Sequence, residues 1–152
     1  MKKLVSIVLV LAVFSACSEY QRVLKEEDIA AKFKMGTELY DAGKYEKANR
    51  LFLQIVPKYR GKPQAEKLMY MHSKAFYETK DYFSANYRME RFVEAYPKSE
   101  RVAEIAFLAA KSYYKLSPIY AKDQTETADA IVKLQDFINR YPDSEFFDQA
   151  NA

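Results

Sequence analysis

The chain repeats itself. Laid over itself with a shift of 37 residues, Tyr40 falls on Tyr77 and then on Tyr114, Phe33 on Tyr70 and Phe107, and Gly36 on Ser73 and Ala110. The segment that follows stays in register: Tyr45 matches Tyr82, Ala48 matches Ala85, Phe52 matches Met89, Ile55 matches Phe92 and Tyr59 matches Tyr96. A further stretch, Phe92 to Glu100, returns 45 residues later as Phe137 to Glu145. The third unit therefore holds an insertion of about eight residues at Ser117 to Gln124, where Pro118 breaks the helix. Units of this size do not bury a hydrophobic face alone; they close a core by stacking on the next copy.

Each matched position has a physical task. Small residues at Gly36, Ser73 and Ala110, and at Ala48, Ala85 and Ala130, let two helices approach closely. Large apolar residues at i, i+3 and i+4 form the buried stripe. Gly43-Lys44 and Lys80-Asp81 are tight turns between helices, and Tyr-Pro ends the second helix of a pair. Ser99 or Ser144 then caps the next helix, with Glu100 or Glu145 at its positive end. With 3 Gly and 5 Pro, the chain has too few turns for many short strands.

These features predict an all-α fold: tandem tetratricopeptide-type helix-turn-helix repeats forming a right-handed superhelical solenoid. Gly36, Gly43, Lys44, Tyr45 and Ala48 follow that consensus in type and spacing, although its Trp is absent and the period of 37 exceeds the usual value of about 34. Helices are expected near 26–42, 45–58, 64–79, 82–96, 99–116, 125–141 and 144–152. They group into a repeat domain over 26–152, with repeats at about 26–61, 62–98 and 99–142 and a truncated fourth from 143. The last helix has no mate, which reads as a piece of a longer protein.

The N-terminus is of another kind. Met1-Lys2-Lys3 is a short positive segment, Leu4 to Phe14 an apolar run, and Ser15-Ala16 a pair of small residues before the one cysteine, Cys17. A largely apolar run of eleven residues is too short to span a bilayer, which takes roughly 20, so residues 1–16 read as a signal peptide. The order of elements resembles a bacterial lipoprotein signal, with Phe14 where that signal usually has Leu. The resemblance implies lipidation of Cys17 and, with Ser18 after it, transfer to the outer membrane. Several acyl chains on one residue anchor a protein where one chain does not. Residues 17–25 then read as the lipidated cysteine and a tether.

Composition excludes several classes. The formal charge of +3 falls close to neutrality once Lys2 and Lys3 leave with the leader, without the clustered basic face of a nucleic-acid binder. One Cys and one His supply no zinc site, and no Gly-rich phosphate loop occurs. His72 sits where the neighbouring repeats carry Met35 and Ala109, so it reads as a packing residue. Neither catalysis nor a cofactor is expected.

A lipoprotein cysteine, a short segment and long tetratricopeptide repeats with Tyr-Pro-x-Ser punctuation resemble the BamD family of outer-membrane-protein assembly lipoproteins. Gly36 to Ala48, Phe92 to Glu100 and Phe137 to Glu145 carry the resemblance. It implies a non-catalytic adaptor of the β-barrel assembly machine at the periplasmic face of the outer membrane. Its partners would be the barrel insertase, other lipoproteins of the machine and unfolded β-barrel precursors, with the membrane reached through the lipid alone. The alternative is a periplasmic scaffold for cell-wall synthesis or envelope constriction, for which a coiled-coil segment before the repeats would be usual.

A ligand is expected along the first helix of each pair. Three repeat-related rows form the candidate peptide groove: Phe33, Tyr70 and Phe107; Thr37, Lys74 and Lys111; and Tyr40, Tyr77 and Tyr114. Aromatic bodies give contact area at low entropy cost, and the lysines would meet a terminal carboxylate.

Overall fold

The computed structural model describes residues 19–117 and 125–152. The signal peptide, Cys17 and the insertion beyond Ser117 lie outside the described residues. Residues 19–25 form a helix, α1. It is followed by α2 (Ile29–Asp41), then α3 (Tyr45–Ile55), which tightens into a 3₁₀ turn at Val56–Tyr59. Next come α4 (Ala65–Glu78), α5 (Tyr82–Ala95), α6 (Val102–Leu116), α7 (Thr125–Arg140) and α8 (Phe147–Asn151). All regular structure among the described residues is helical, and no helix there is long and apolar enough to cross a membrane.

The pairs α2–α3, α4–α5 and α6–α7 stack in chain order. Each helix packs on its neighbours in sequence, and the first helices α2, α4 and α6 also touch in succession. This is the tandem tetratricopeptide-type arrangement expected from the repeat. Its core is strung along the stack. Ala48, Phe52, Ile55 and Leu68 fill the first segment, Ala85, Met89, Phe92 and Ile105 the second, and Phe107, Phe137 and Ala150 the third. Ile55, Phe92 and Phe137 hold one repeat position, and each is almost wholly buried. Burying one such side chain contributes about 1.5–3 kcal/mol.

Two recurring turns set the geometry. After α2, the Lys44 amide donates to the Leu39 carbonyl at 2.8 Å and the Gly43 amide to Tyr40 at 2.9 Å. After α4, Asp81 donates to Phe76 at 3.0 Å and Lys80 to Tyr77 at 2.9 Å. Both are Schellman ends, which need a left-handed residue. Gly43 supplies it at φ 71°, and Lys80 takes the same conformation at φ 63°. The third such end differs: Ser117 is extended (φ −57°, ψ 128°), as a residue before proline must be.

The second turn joins one pair to the next. Ser99 donates to Tyr96 at 3.0 Å and Val102 to Ser99 at 3.1 Å; Ser144 donates to Tyr141 at 3.1 Å and Phe147 to Ser144 at 3.0 Å. Lys62 and Ala65 repeat the pattern from Tyr59. Ser99 and Ser144 were expected as helix caps. Their hydroxyls instead accept from the amides of Arg101 and Phe146 inside this double turn. Hence α6 and α8 begin three residues after these serines, at Val102 and Phe147.

The tether reading also changes. Tyr20 and Val23 of α1 are 5% exposed and pack on Leu51, and the Tyr20 hydroxyl donates to the Lys47 carbonyl at 3.3 Å. An amphipathic turn with a face of α3 to cover docks rather than dangles. Asp28 then caps α2, accepting from Ala30 and Ala31 at 2.8 and 3.0 Å.

Gly36 explains how the first pair closes. A Cβ there would stand 2.5 Å from Cε1 of Phe52, a ring with no exposed surface. Ser73 and Ala110 are larger at the same position, and their repeat-matched partners, Met89 and Leu134, are slimmer than Phe. Gly36→Ala is expected to lower stability by about 1–2 kcal/mol, overpacking outweighing the gain in helix propensity. Ser73→Ala should change it by under about 1 kcal/mol. Chemical denaturation of the two variants checks the contrast, and Phe52→Met should recover much of the Gly36→Ala loss.

Candidate binding faces

The three predicted rows lie on α2, α4 and α6, but their side chains do different work. Phe33 stacks on Tyr59 at 5.2 Å, Tyr70 tilts against Phe92 at 6.3 Å, and Phe107 lies between Phe137 at 5.5 Å and Phe146 at 5.1 Å. Phe107 is 3% exposed. This row belongs mainly to the seams of the core, where aromatic area is most useful.

In the second row, the Thr37 hydroxyl donates back to the Phe33 carbonyl at 2.9 Å, within its own helix. Lys74 reaches across to α6 and pairs with Glu104 at 2.7 Å. The Tyr70 hydroxyl donates to the same carboxylate at 3.0 Å and accepts from Lys74 at 3.3 Å. Burial opposes the Lys74 ammonium, but the hydrogen bond to Glu104 and the charge of that carboxylate outweigh it and raise its pKa. The Arg101 guanidinium also lies over the Tyr70 ring, 4.7 Å from its centre. Lys111 lies over the Phe107 ring at 5.2 Å and makes no ion pair with a described residue.

In the third row, Tyr40 meets Tyr45 edge-on at 5.4 Å and Tyr77 meets Tyr82 at 5.4 Å. Burial raises the Tyr40 and Tyr77 pKa values. Among the described residues no such ring stands beside Tyr114, which is 60% exposed. Phe107, Lys111 and Tyr114 border a cavity of about 290 Å³ together with Leu134, Gln149, Ala150 and Ala152. The structure thus brings the third-repeat members of all three rows to one cavity, while the first two rungs are largely engaged within the chain. Glu104 and Arg101 were missed from sequence. Their contacts are 30 and 31 residues away, and the neighbouring repeats carry Lys67 and Gln149 in place of Glu104.

The opposite side of α4 carries His72. Successive residues turn about 100° along a helix, so Leu68 and His72 face away from Tyr70 and Lys74. The imidazole is 2% exposed and packs edge-on against Phe76 at 5.0 Å, as a packing residue would. The Asn49 amide is best satisfied with its nitrogen toward the ring, donating to Nδ1 at 2.8 Å and to the His72 carbonyl at 3.3 Å. Burial and then the Arg88 charge push the His72 pKa down to about 3.

Stacked helix pairs with a half-polar first-helix face define a tetratricopeptide-type repeat domain. The chain belongs to the outer membrane lipoprotein family (YfiO), whose sequence model matches residues 25–152. Among curated proteins it is similar to the outer membrane protein assembly factor BamD of Caulobacter vibrioides, 23% identical over 146 residues, covering 93% of this chain and 48% of that protein. It is also similar to the BamD of Helicobacter pylori, 24% identical over 101 residues, covering 66% of this chain and 46% of that protein. The chain spans about half the length of these curated relatives.

His72 gives a pH test. Its folded pKa lies below the unfolded value of about 6.5, so the unfolded chain takes up a proton that the folded chain refuses. The stability this contributes is full above the unfolded pKa and is lost as pH falls toward the folded one. Between pH 7 and 5 the single histidine should remove about 2 kcal/mol. His72→Ala, the residue of the third repeat, should flatten that slope in denaturation series at pH 5, 6 and 7.

Proposed function

We propose that the chain is a non-catalytic adaptor of the β-barrel assembly machine at the periplasmic face of the outer membrane. It is anchored there by lipid on Cys17, and binds the barrel insertase, other lipoproteins of the machine and unfolded barrel precursors. Membership of an outer membrane lipoprotein family supports the location, and the designation of its relatives as assembly factors supports the role. The leader and Cys17 supply the chemistry for the anchor. A stack of helix pairs, with no cluster of metal-binding side chains among the described residues, suits recognition of a polypeptide.

The observation that carries the binding mode is the difference between Lys74 and Lys111. They are repeat equivalents, as are Glu104 and Gln149. Lys74 meets a carboxylate within the chain, whereas Lys111 shares its cavity with an amide. A precursor ending in an aromatic residue and a free carboxylate would place its ring against Tyr114 and its charge on Lys111. Lys74 and the Tyr40 and Tyr77 rungs would shape the groove rather than carry the charge.

Lys111→Gln is expected to weaken such a peptide about tenfold, equal to about 1.4 kcal/mol. Amidating the peptide terminus should cost a similar factor in the parent chain and almost nothing in the variant. Lys74→Gln should act mainly on thermal stability. Unchanged affinity in Lys111→Gln, measured by fluorescence anisotropy, removes the groove assignment. Cross-linked recovery of the full-length lipoprotein from envelopes tests the wider role. Cell-wall enzymes recovered without the insertase would favour the envelope-scaffold alternative.

A further inference from the structure

A ring-and-cation cluster recurs between repeats, and its two copies differ by one carboxylate. In the third repeat, Lys133 of α7 lies over the Tyr113 ring at 5.1 Å and pairs with Glu90 at 2.5 Å. The Tyr113 hydroxyl donates to the same carboxylate at 3.2 Å. One repeat earlier, Arg88 stands for Lys133, Phe76 for Tyr113 and Leu53 for Glu90. The cation over the ring is kept, with Arg88 Cζ 4.7 Å from the Phe76 centroid. The carboxylate is not, because Leu53 has none to offer.

Arg88 makes no ion pair at contact distance among the described residues; the Asp81 carboxylate acts on it only through its charge, and Nε is buried without a hydrogen-bond partner among those residues. His72, 2% exposed, leaves Nε2 in the same condition. With Asn49 donating to Nδ1, the ring proton sits on Nε2, so both unsatisfied groups are donors. Leaving such groups unpaired is costly, and only an acceptor relieves them. Both residues border a cavity of about 610 Å³ between the 3₁₀ turn, α4 and α5, whose other charged lining residues are Arg60, Arg91 and Glu94, two cations to one carboxylate. Tyr87 lines it and is 57% exposed; Phe83, one turn away on α5, is 74% exposed, and Leu53 is 48% exposed. Exposed aromatic side chains beside an unpaired arginine have the make-up of a protein contact.

We infer that this cavity docks a partner protein segment that inserts one aspartate or glutamate side chain against Arg88, in the role Glu90 plays one repeat later, with apolar neighbours on Leu53 and Tyr87. The third repeat points to a carboxylate as the acceptor, and the exposed Tyr87 at the cavity, with Phe83 one turn away on α5, favours a polypeptide around it. On α4 this face is opposite Tyr70 and Lys74, so the inference stands apart from the groove reading.

The chain is titrated with four probes while the Arg88 Nε–H and His72 ring signals are followed by NMR. The probes are a capped peptide with one glutamate between two aromatic residues, its glutamine counterpart, inorganic phosphate, and vesicles of anionic phospholipid. The glutamate peptide should move both signals at a concentration at least about tenfold below the other three. Arg88→Met should abolish that response while the thermal midpoint holds or rises. Leu53→Glu, which returns the carboxylate to the chain, should raise the midpoint and weaken the peptide at least about tenfold. An equal response to the glutamine peptide or to phosphate, a stronger one to vesicles, or none to any probe overturns the inference. So does a Leu53→Glu chain that binds the peptide as well as the parent.

Discussion

The stack depends on close approach within each helix pair. Gly36 admits the Phe52 ring so tightly that a single methyl group would collide with it. That approach turns two amphipathic helices into one unit, with Ala48 and Ile55 closing the same seam. Once the pair is closed, the other faces of its helices have nothing to bury against except the next pair. The three core clusters therefore follow one another along the chain, and α1 covers the remaining face of α3 at one end with Tyr20 and Val23. Stability in such a fold is a sum of local units and their junctions. A defect at Gly36 weakens one unit, while a defect at Tyr70 or Glu104 loosens the contact between two.

Periodicity made the architecture legible. Apolar positions at helical spacing, small residues at fixed places and Tyr-Pro stops all arise from contacts inside one unit, so they recur with the unit. Helix existence and order follow from them. What lay beyond the sequence were features set by reach across a junction. Ser99 and Ser144 read as caps, since a serine before an acidic residue usually is one. Only the paired bonds from Tyr96 to Ser99 and from Ser99 to Val102 show a turn that delays the helix. Residues 19–25 carry no repeat signature, and Tyr20 finds its place against Leu51 only through the fold.

The candidate groove was legible in position and less so in role. The rows on α2, α4 and α6 are adjacent as expected, yet a row of aromatic residues has the same period whether it faces a ligand or a core. Phe33, Tyr70 and Phe107 go to the core because each has an aromatic partner on another element: Tyr59, Phe92 and Phe137. The charge of Lys74 is likewise absorbed by Glu104, which no local pattern associates with it.

Comparing repeats with one another separates scaffold from function in a way no single repeat allows. Where a position serves packing, its copies vary in size and stay apolar, as Ile55, Phe92 and Phe137 do. Where it carries charge, the copies diverge. Lys74 and Lys133 meet carboxylates across a junction. For their equivalents Lys111 and Arg88, the positions matching those carboxylates hold Gln149 and Leu53, which offer none. The fold does not need the second kind of cation, because the same junctions close elsewhere with the charge compensated. A half-buried cation without a contacting carboxylate lowers stability, and Arg88 Nε and His72 Nε2 are two buried groups that the described residues leave without a hydrogen bond. Lys111 and Arg88 lie on different faces and in successive pairs. A repeat fold can thus change the partners of its cations from one junction to the next without altering the seam at Gly36 and Phe52 on which its assembly depends.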